Sequence, residues 1–412
     1  MIIHNKYKKR NYLLFFKYAF ILLLTLLIIN IKGIPGHKIL YNKFLEEKYD
    51  SRNSAFNKSL NFIKNCQSSE LFKYKPPKFN LNNPKISVVI PLYNCENYVL
   101  KAIKSIQLQS ILDIEILLID DKSSDNTINL VTKMQNEDKR IKLFRNQKNM
   151  GILYSRSIGV LLSIGKYLFT LDNDDLFISN DIFETITKIS QEGNFDIVKF
   201  KAISNKNYNQ NILNKNIIDS KYSYDQPFIL FQPELGRFPI STGENIEDFQ
   251  VNDIYLWGKC IKTQIYQKAL KKLGYERYSR FMLRYEDVVT NYMIFNIANS
   301  FISVQKYGIY HFVRKGSAAH IGLKKVNDNI NFLYLIDIVT DFALDNYVNK
   351  KLPASLLFNF IKYKVKKKCI MKSKYYMNLF ISCFNRISNS SFVSEKYKRI
   401  LKKSIKKLKL KK

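Results

Sequence analysis

The sequence predicts an α/β fold in which a mainly parallel sheet carries helices on both faces. Between residues 85 and 171, short apolar runs typical of buried strands alternate with segments whose apolar residues recur at helical spacing. Parallel strands need crossover connections, which are usually helices, so alternation of this length indicates a parallel sheet. The chain has 412 residues, 46% of them hydrophobic, which is enough for one large domain or two smaller ones.

An apolar segment near the start of the chain is interpreted as a membrane signal anchor. Leu13 to Ile31 contains a single charged residue, Lys17, and follows a cluster of four basic residues. Its length is close to the minimum that crosses a bilayer, and the basic flank favours a cytoplasmic N-terminus. The alternative is a cleaved signal peptide with Tyr18 to Ile29 as its apolar core, but no small-residue cleavage site follows that run.

Five segments are therefore expected along the chain. The segments are a basic tail at 1–12, the anchor at 13–31, a polar stem at 32–84, a globular domain at 85–325 and a helical basic region at 326–412. The helical basic region alternates apolar and basic residues at helical spacing, which predicts helices that pack on the core or lie at a membrane surface.

Four strands and three helices are expected in the globular domain before residue 172. Pro91 stops the first strand, and Asp120 with Asp121 closes the second. The predicted strands are 86–90, 114–119, 141–144 and 167–171, and the predicted helices lie around 99–106, 128–134 and 153–162.

Polar residues follow three of these strands at the point where each strand ends. They are Pro91, Tyr93 and Asn94 after the first strand, Asp120 and Asp121 after the second, and Asp172, Asp174 and Asp175 after the fourth. An isolated acidic cluster of this kind is a polar turn more often than a metal site. Ligands of parallel sheets bind beyond the carboxyl ends of the strands, and three clusters that converge there predict a site.

The charge of the chain does not by itself predict a nucleic-acid partner. The formal net charge is +33, but the lysines are spread along the sequence and no RNA-binding motif with interleaved aromatic residues is apparent. The ten Lys and Arg residues of 396–412 indicate a solvated tail, with contact to an anionic membrane surface as the alternative. Five cysteines, an odd number without metal-binding spacing, do not indicate a disulfide framework, although one or two bridges remain possible.

The motifs at the strand ends resemble those of the family-two glycosyltransferases, which have the Rossmann-like GT-A fold. ISVVIPLYNCENYV is similar to the family's opening strand and loop, and LLIDDKSSDNT to its Asp-Asp-x-Ser-x-Asp turn. NMGILYSRSIGVLLSIGKYLFTLDNDD is similar to the run that ends in Asp-x-Asp-Asp. The resemblance is strong from Lys85 to Leu176 and thinner to about Ser317; Ser157 stands where the family usually has Asn.

The resemblance implies a membrane-anchored hexosyl- or N-acetylhexosaminyl-transferase with a defined set of partners. It implies that one sugar moves with inversion from a UDP- or GDP-sugar to a glycan, protein or lipid acceptor, with Mn²⁺ or Mg²⁺ as cofactor. Carboxylates are hard ligands for such ions, which neutralise charge on the leaving diphosphate. In a eukaryotic cell the catalytic domain would lie in the Golgi or ER lumen. The alternative is a protein of the same fold that binds sugar nucleotides or acts as a scaffold without catalysis.

The resemblance also assigns site residues. The nucleotide-sugar set is Pro91, Tyr93, Asn94, Asp121, Arg156, Asp172 and Asp174, and the metal set is Asp174, Asp175 and His311. Arg156 is expected at the diphosphate, because its fork suits phosphate; an ordinary helix arginine is the alternative, as a strand histidine is for His311.

Two later motifs extend the resemblance to the acceptor side. DIYLWGKCIK places Trp257 and Lys259 there, with core packing as the alternative for the tryptophan. RYEDVVTNYMIF matches a Glu-Asp motif at the positive end of a helix, which favours ionised acids, with helix-capping acids as the alternative. Asp287 is expected to be the general base, and Glu286 to contact the acceptor.

Overall fold

The computed structural model describes most of the chain from residue 83 onward. The described residues are 83–205, 218–219, 228–232, 235, 240–242, 249–251, 255–275, 285–312, 326–346, 352–359, 374–391 and 393–407. The predicted tail, anchor and nearly all of the predicted stem lie outside them. Among the residues described, none of the helices combines the length and the apolar character needed to span a bilayer.

Strands and helices alternate through the first half of this region, and helices dominate its end. The strands are β1 (Ile86–Leu92), β2 (Ile114–Asp120), β3 (Ile141–Arg145), β4 (Tyr167–Thr170), β5 (Leu176–Phe177), β6 (Ile197–Asn205), β7 (Ile218–Asp219), β8 (Phe228–Phe231), β9 (Ile240–Thr242), β10 (Phe249–Val251), β11 (Lys259–Lys262) and β12 (Ser300–Phe312). The helices are α1 (Val99–Gln107), α2 (Thr127–Glu137), α3 (Ile152–Leu162), α4 (Ile182–Glu192), α5 (Thr263–Leu273), α6 (Glu286–Ile297), α7 (Val326–Asn346), α8 (Leu352–Asn359), α9 (Lys374–Asn389) and α10 (Glu395–Lys407).

The main sheet is mixed rather than mainly parallel. Its strand order is β3-β2-β1-β4-β11-β6-β12-β5, with β7 beside β6 and β8 beside β12, while β9 and β10 form a separate pair. The first four strands in this order run parallel to one another. β11 is antiparallel to both of its neighbours, β4 and β6. The predicted parallel order is thus correct for the four strands seen in the sequence. Beyond them the sheet is mixed, because β11 enters in the opposite direction from a distant part of the chain while β6 and β12 pair in parallel.

The predicted elements before residue 172 are all present with small shifts of their ends. β1 continues through Pro91 to Leu92, although proline lacks the N–H of a ladder bond. β4 pairs with β1 only as far as Val89, and the carbonyl of Val89 then accepts a bond from the backbone N–H of Leu171. Alternate residues of a strand direct their backbone groups to the same side, so the backbone of Pro91, like that of Val89, faces β4. The β1–β4 ladder has already ended at that point, and the missing N–H of Pro91 therefore removes no ladder bond.

Helices cover both faces of the sheet, as predicted. Val89, Leu117 and Leu168 share one buried cluster with residues of α3 and α5. A Cβ atom on Gly159 of α3 would lie 2.4 Å from Val89 Cγ1, so glycine allows the close approach of helix and strand. The adjacent residue of β4, Phe169, faces the other side of the sheet, where its ring centroid lies 4.5 Å from that of Phe183 in α4.

The C-terminal helices α7 to α10 pack on this core. The apolar positions of α7 picked out by the helical pattern, including Phe332, Ile336 and Val339, are buried in the same cluster as the sheet. The ring of Phe332 meets that of Tyr285, just before α6, with centroids 5.5 Å apart. Of the two predicted arrangements for this region, packing on the core is therefore found for the apolar face of α7.

Candidate active site

The loops after β1, β2 and β4 meet at the carboxyl edge of the parallel strands. The backbone N–H of Asp121 donates to the carbonyl of Leu92 at 2.8 Å. The side-chain amide of Asn173 donates to the carbonyl of Pro91 at 3.0 Å. β11 runs in the opposite direction to β4, so its first residue, Lys259, begins at this same edge. The three polar clusters found in the sequence thus form one surface.

The Asp121 carboxylate holds the loop that leads into α3. Its Oδ1 accepts hydrogen bonds from the Asn146 side-chain amide at 2.8 Å and from the Met150 backbone N–H at 2.7 Å. Its Oδ2 accepts one from the Gly151 backbone N–H at 2.7 Å. Gly151 has φ 89°, which disfavours any residue with a side chain. Asn146 was not anticipated, although it lies five residues before the glycine of the Asn-x-Gly motif.

The loop after β1 is fixed by its backbone and exposes an aromatic ring. The backbone N–H of Asn94 donates to Ser123 Oγ at 3.0 Å, and Asn94 Oδ1 accepts from the Ser124 N–H at 2.9 Å. Asn94 has φ 45°, a conformation that asparagine tolerates better than most residues. Tyr93 is 50% exposed, so its ring is open to stacking by a planar ligand group such as a nucleotide base.

Arg156 joins the acidic loop after β4 to the start of α6. Its Nη2 donates to Asp172 Oδ1 and its Nη1 donates to Asp287 Oδ1, each at 2.9 Å. The arginine side chain is only 4% exposed, and its Nε has no hydrogen-bond partner among the described residues. Both terminal nitrogens donate to carboxylates, so Arg156 is an internal residue of the cluster. Its expected contact with the diphosphate stays a prediction.

Glu286 and Asp287 occupy the first turn of α6 and have strongly perturbed pKa values. Burial raises the pKa of Asp287 to about 6, although the Arg156 guanidinium opposes the shift. Burial and the adjacent Asp287 charge raise the pKa of Glu286 to about 8. At neutral pH, Asp287 is therefore ionised and able to accept a proton, while Glu286 is neutral and able to donate a hydrogen bond. Tyr285, directly before them, has φ 68°, a strained conformation for a bulky residue.

Two further side chains contribute to the environment of Asp287. Lys259 is buried, and its positive charge opposes the rise in the pKa of Asp287. Tyr266 of α5 is buried within electrostatic range of Arg156 and Asp287. The sequence did not reveal Tyr266, because a tyrosine on the apolar face of an amphipathic helix is ordinary core packing.

The second acidic group is centred on Asp175 and His311. Asp175 is fully buried, and its Oδ1 accepts bonds from His311 Nδ1 and from the Phe312 backbone N–H, both at 3.0 Å. Burial alone would lower the pKa of His311, but the charges and hydrogen bond of Asp175, with Asp172 and Asp174 nearby, raise it to about 9. The Trp257 ring stacks on His311 with centroids 5.0 Å apart.

The assignment of Asp175 as a metal ligand stays a prediction. Its carboxylate is buried and accepts hydrogen bonds from His311 and from the Phe312 backbone N–H, so in this structure it supports the histidine. Across the described stretches of the chain, no cluster of three or more His, Cys, Asp or Glu side chains is arranged to hold a metal. Asp174 is partly exposed at the same loop.

The departure from the family pattern at Ser157, where the family usually has Asn, leaves a buried hydroxyl group. Ser157 is buried in α3, and its hydroxyl has no hydrogen-bond partner among the described residues. Arg314, Gly316 and Ser317 resemble the family's closing Arg-x-Gly-Ser turn in sequence, and they lie outside the described residues.

A comparison with family models identifies the domain. Residues 87–246 match the model of glycosyl transferase family 2. The resemblance to family-two glycosyltransferases is therefore confirmed over these residues, which make up less than half of the chain.

Relatives of known sequence match part of the chain. An uncharacterized glycosyltransferase of Rickettsia conorii is 46% identical over 115 residues, which are 28% of this chain and 18% of that protein. A Campylobacter jejuni protein named GalNAc(5)-diNAcBac-PP-undecaprenol beta-1,3-glucosyltransferase is 31% identical over 197 residues, 44% of this chain and 61% of that protein. The chain thus spans less than two thirds of the length of these relatives.

A solved structure shares the fold. A fragment of Staphylococcus aureus TarS, in a crystal structure with UDP-GlcNAc, superposes with a TM-score of 0.52 and covers 77% of this chain and 84% of the fragment. Sequence identity is 16%, so this likeness concerns the fold alone.

Proposed function

We propose that this family-two domain transfers one sugar, with inversion, from a nucleotide-diphosphate sugar to a hydroxyl of a glycan, protein or lipid. The observation that carries the proposal is the buried cluster in which Arg156 joins Asp172, on the donor side, to Asp287 on α6. Burying these charges costs hydration free energy. A cluster of this kind is therefore expected where it serves a chemical role. The TarS fragment crystallised with UDP-GlcNAc supports a UDP-sugar as donor, and the name of the C. jejuni relative supports a glycan on a lipid carrier as acceptor.

Asp287 is the general base of the proposed reaction. Inversion requires the acceptor hydroxyl to attack the anomeric carbon from the side opposite the diphosphate, and its proton passes to a carboxylate within hydrogen-bond reach. The pKa of Asp287, raised to about 6, leaves it ionised at neutral pH yet more basic than an ordinary aspartate. Glu286, neutral under the same conditions, would donate a hydrogen bond to an acceptor oxygen.

Arg156 acts in this proposal as a positioning residue. Its two bonds fix the Asp287 carboxylate relative to the acidic loop that ends in Asp175, and its charge limits the rise in the pKa of Asp287. Because the guanidinium is planar and its donors are fixed in one plane, it holds two carboxylates in a defined geometry that a lysine would not reproduce.

A divalent ion, Mn²⁺ or Mg²⁺, would be held by Asp174 and His311 together with oxygens of the donor. The hydrogen bond from His311 Nδ1 to Asp175 leaves Nε2 as the atom that would bind the ion, an arrangement common for metal-bound histidines. Binding would release the proton that a pKa of about 9 keeps on the ring at neutral pH. Magnesium sites often use one or two protein ligands and complete the shell with substrate phosphates and water. When bound, the ion would neutralise charge on the departing diphosphate. Asp175 would orient the histidine, while Pro91, Tyr93, Asn94 and Asp121 would surround the nucleoside.

The decisive experiment compares sugar transfer with donor binding. In the presence of Mn²⁺, we expect the purified protein to hydrolyse a UDP-sugar or to transfer its sugar to an acceptor. A screen of UDP- and GDP-sugars would identify the donor. Asp287→Asn should lower transfer about 10²- to 10⁴-fold while UDP affinity, measured by calorimetry, stays near that of the parent chain. Asp113→Asn, at an exposed aspartate outside the cluster, is the matched control.

Two outcomes would contradict the proposal. Parent-level transfer by Asp287→Asn together with a loss in Glu286→Gln would exchange the roles of the two acids. UDP binding without turnover of any donor sugar would instead favour a sugar-nucleotide-binding protein without catalysis.

A further inference from the structure

The helix α10 has an apolar side fixed to the protein and a basic side open to solvent. Leu401 is fully buried, and Tyr397 and Ile400 pack against the core cluster. Four cations are exposed on the other side: Lys396, Arg399, Lys402 and Lys403. At about 100° per residue these four lie within an arc of about 120°. We call them the basic face.

The basic face carries more positive charge than its own helix neutralises. Glu395, the acid in the first turn of α10, pairs with Lys398 at 2.9 Å and also interacts with Lys402 and Arg399 of the face, so one negative charge offsets part of four positive charges. From Lys396 to the last residue the sequence contains ten Lys and Arg residues and no acid. Because the apolar side of α10 is already buried, the helix cannot insert into a bilayer and remain packed, so its outward interactions are electrostatic.

We propose that the basic face docks the catalytic domain on a membrane surface of anionic lipid headgroups. The aromatic residue between these cations in sequence, Tyr397, packs against the core cluster, whereas proteins that bind single-stranded nucleic acid present stacking rings between their cations. The neighbouring helix α9, which packs with α10 in the core cluster, exposes Ile381 to 44%, an apolar side chain suited to the headgroup region. A planar anionic surface is complementary in charge to four cations that lie within one arc of the helix, as those of the basic face do.

The strength of this contact can be estimated from the number of cations. A Lys or Arg near an anionic leaflet strengthens attachment by roughly fivefold. Removing three members of the basic face should therefore weaken attachment by on the order of a hundredfold. Screening shortens the reach of these charges, so high salt should have the same effect.

The test uses the full chain with phosphatidylcholine vesicles, with and without phosphatidylglycerol. The readout is the rate of trypsin cleavage after Arg399, followed by mass spectrometry, because an α10 pressed on the bilayer is shielded from the protease. The expected result is strong protection on phosphatidylglycerol vesicles, none on phosphatidylcholine alone, and loss of the protection at high salt. This readout reports α10 itself and is independent of any anchor elsewhere in the chain.

Two variants make the test specific to the basic face. Lys396→Gln/Lys402→Gln/Lys403→Gln should lose the protection. Lys133→Gln/Lys139→Gln/Lys271→Gln removes the same charge from exposed lysines elsewhere and should keep it. Equal cleavage rates on both lipids, equal loss in both variants, or equal protection by single-stranded DNA would overturn the proposal. If the first variant does not fold, the lipid and salt comparison on the parent chain decides the question.

Discussion

Replacing Arg156 by methionine should shift the pH profile of sugar transfer. Arg156 is 4% exposed and bonds to Asp172, which is 29% exposed, and to Asp287, which is 21% exposed, so solvent screens these contacts little. Arg156→Met keeps much of the side-chain volume but removes the cation and both donors. Two carboxylates would then face each other across the cluster without a cation between them.

The size of the shift follows from the charges. A neighbouring opposite charge typically changes a carboxyl pKa by about 1 to 3 units. Asp287 has a pKa of about 6 with Arg156 in place, so removing the Arg156 cation should move the acid limb of activity to roughly pH 7 to 9. At pH 7 the ionised fraction of Asp287 would fall from about nine tenths to between about one half and one hundredth. Breaking a buried ion pair on one side also costs about 3–5 kcal/mol of stability.

The assay is the pH dependence of kcat and kcat/KM for the parent chain, Arg156→Met and Arg156→Lys, with Arg399→Met as a surface arginine control. We expect Arg156→Met to lose activity at pH 7 and regain part of it at higher pH, and Arg156→Lys to show a smaller shift. Because Asp287 and Glu286 titrate together, the limb reports the pair. A uniform loss at every pH with a raised KM for the donor would refute the positioning role and restore Arg156 as a diphosphate contact.

Three further predictions address stability, the metal and the membrane. Glu286 keeps its proton up to about pH 8 in the fold, whereas the unfolded chain loses it near 4.5. The native state thus binds more protons in this window and loses stability as pH rises, so thermal melts of Glu286→Gln should show a gain in melting temperature that is larger at pH 8 than at pH 4.5. Asp174→Asn should weaken Mn²⁺-dependent UDP binding in calorimetric titrations by removing a ligand, and Asp175→Asn should do so by releasing His311; unchanged affinity in both would reduce the stretch to a polar turn. If Leu13 to Ile31 is an anchor, the chain should stay in the membrane fraction at alkaline pH, and protease added to sealed vesicles with the native orientation should leave the catalytic domain intact.

The parts of the fold that could be predicted are those whose signals are local. The apolar run from Ile86 to Ile90 can only be a buried strand once Pro91 and the following polar loop bound it, and β1 is found there. The same argument located β2, β3 and β4, and parallel order then required their polar ends to meet at one edge. The acidic loop of Asp172 was recognisable because carboxylates at a strand end are costly unless a cation compensates them.

The parts that could not be predicted depend on pairing between distant segments. β11 follows β4 by almost ninety residues, and nothing in its four residues shows that it inserts between β4 and β6 in the opposite direction. Arg156 and Asp287 are 131 positions apart in sequence, so their ion pair exists only once α6 has docked beside α3. Tyr266 lies on the apolar face of its helix, and no motif in the surrounding sequence marks it as a site residue. Side-chain partners of this kind are set by tertiary packing, which single-sequence periodicity does not contain.

The arrangement around Arg156 also explains why this part of the molecule tolerates an unfavourable local structure. A strained backbone at Tyr285, a neutral acid at Glu286 and an orphaned Nε on Arg156 each cost stability. All three lie where α6 meets the acidic loop, and the hydrophobic cluster around α5, α6 and α7 is extensive enough to hold them in place. The same packing that removes most of the Asp287 side chain from solvent keeps it beside Arg156. A carboxylate in this position is more basic than one on the surface and has a fixed orientation, and both properties are what proton removal from an acceptor hydroxyl requires.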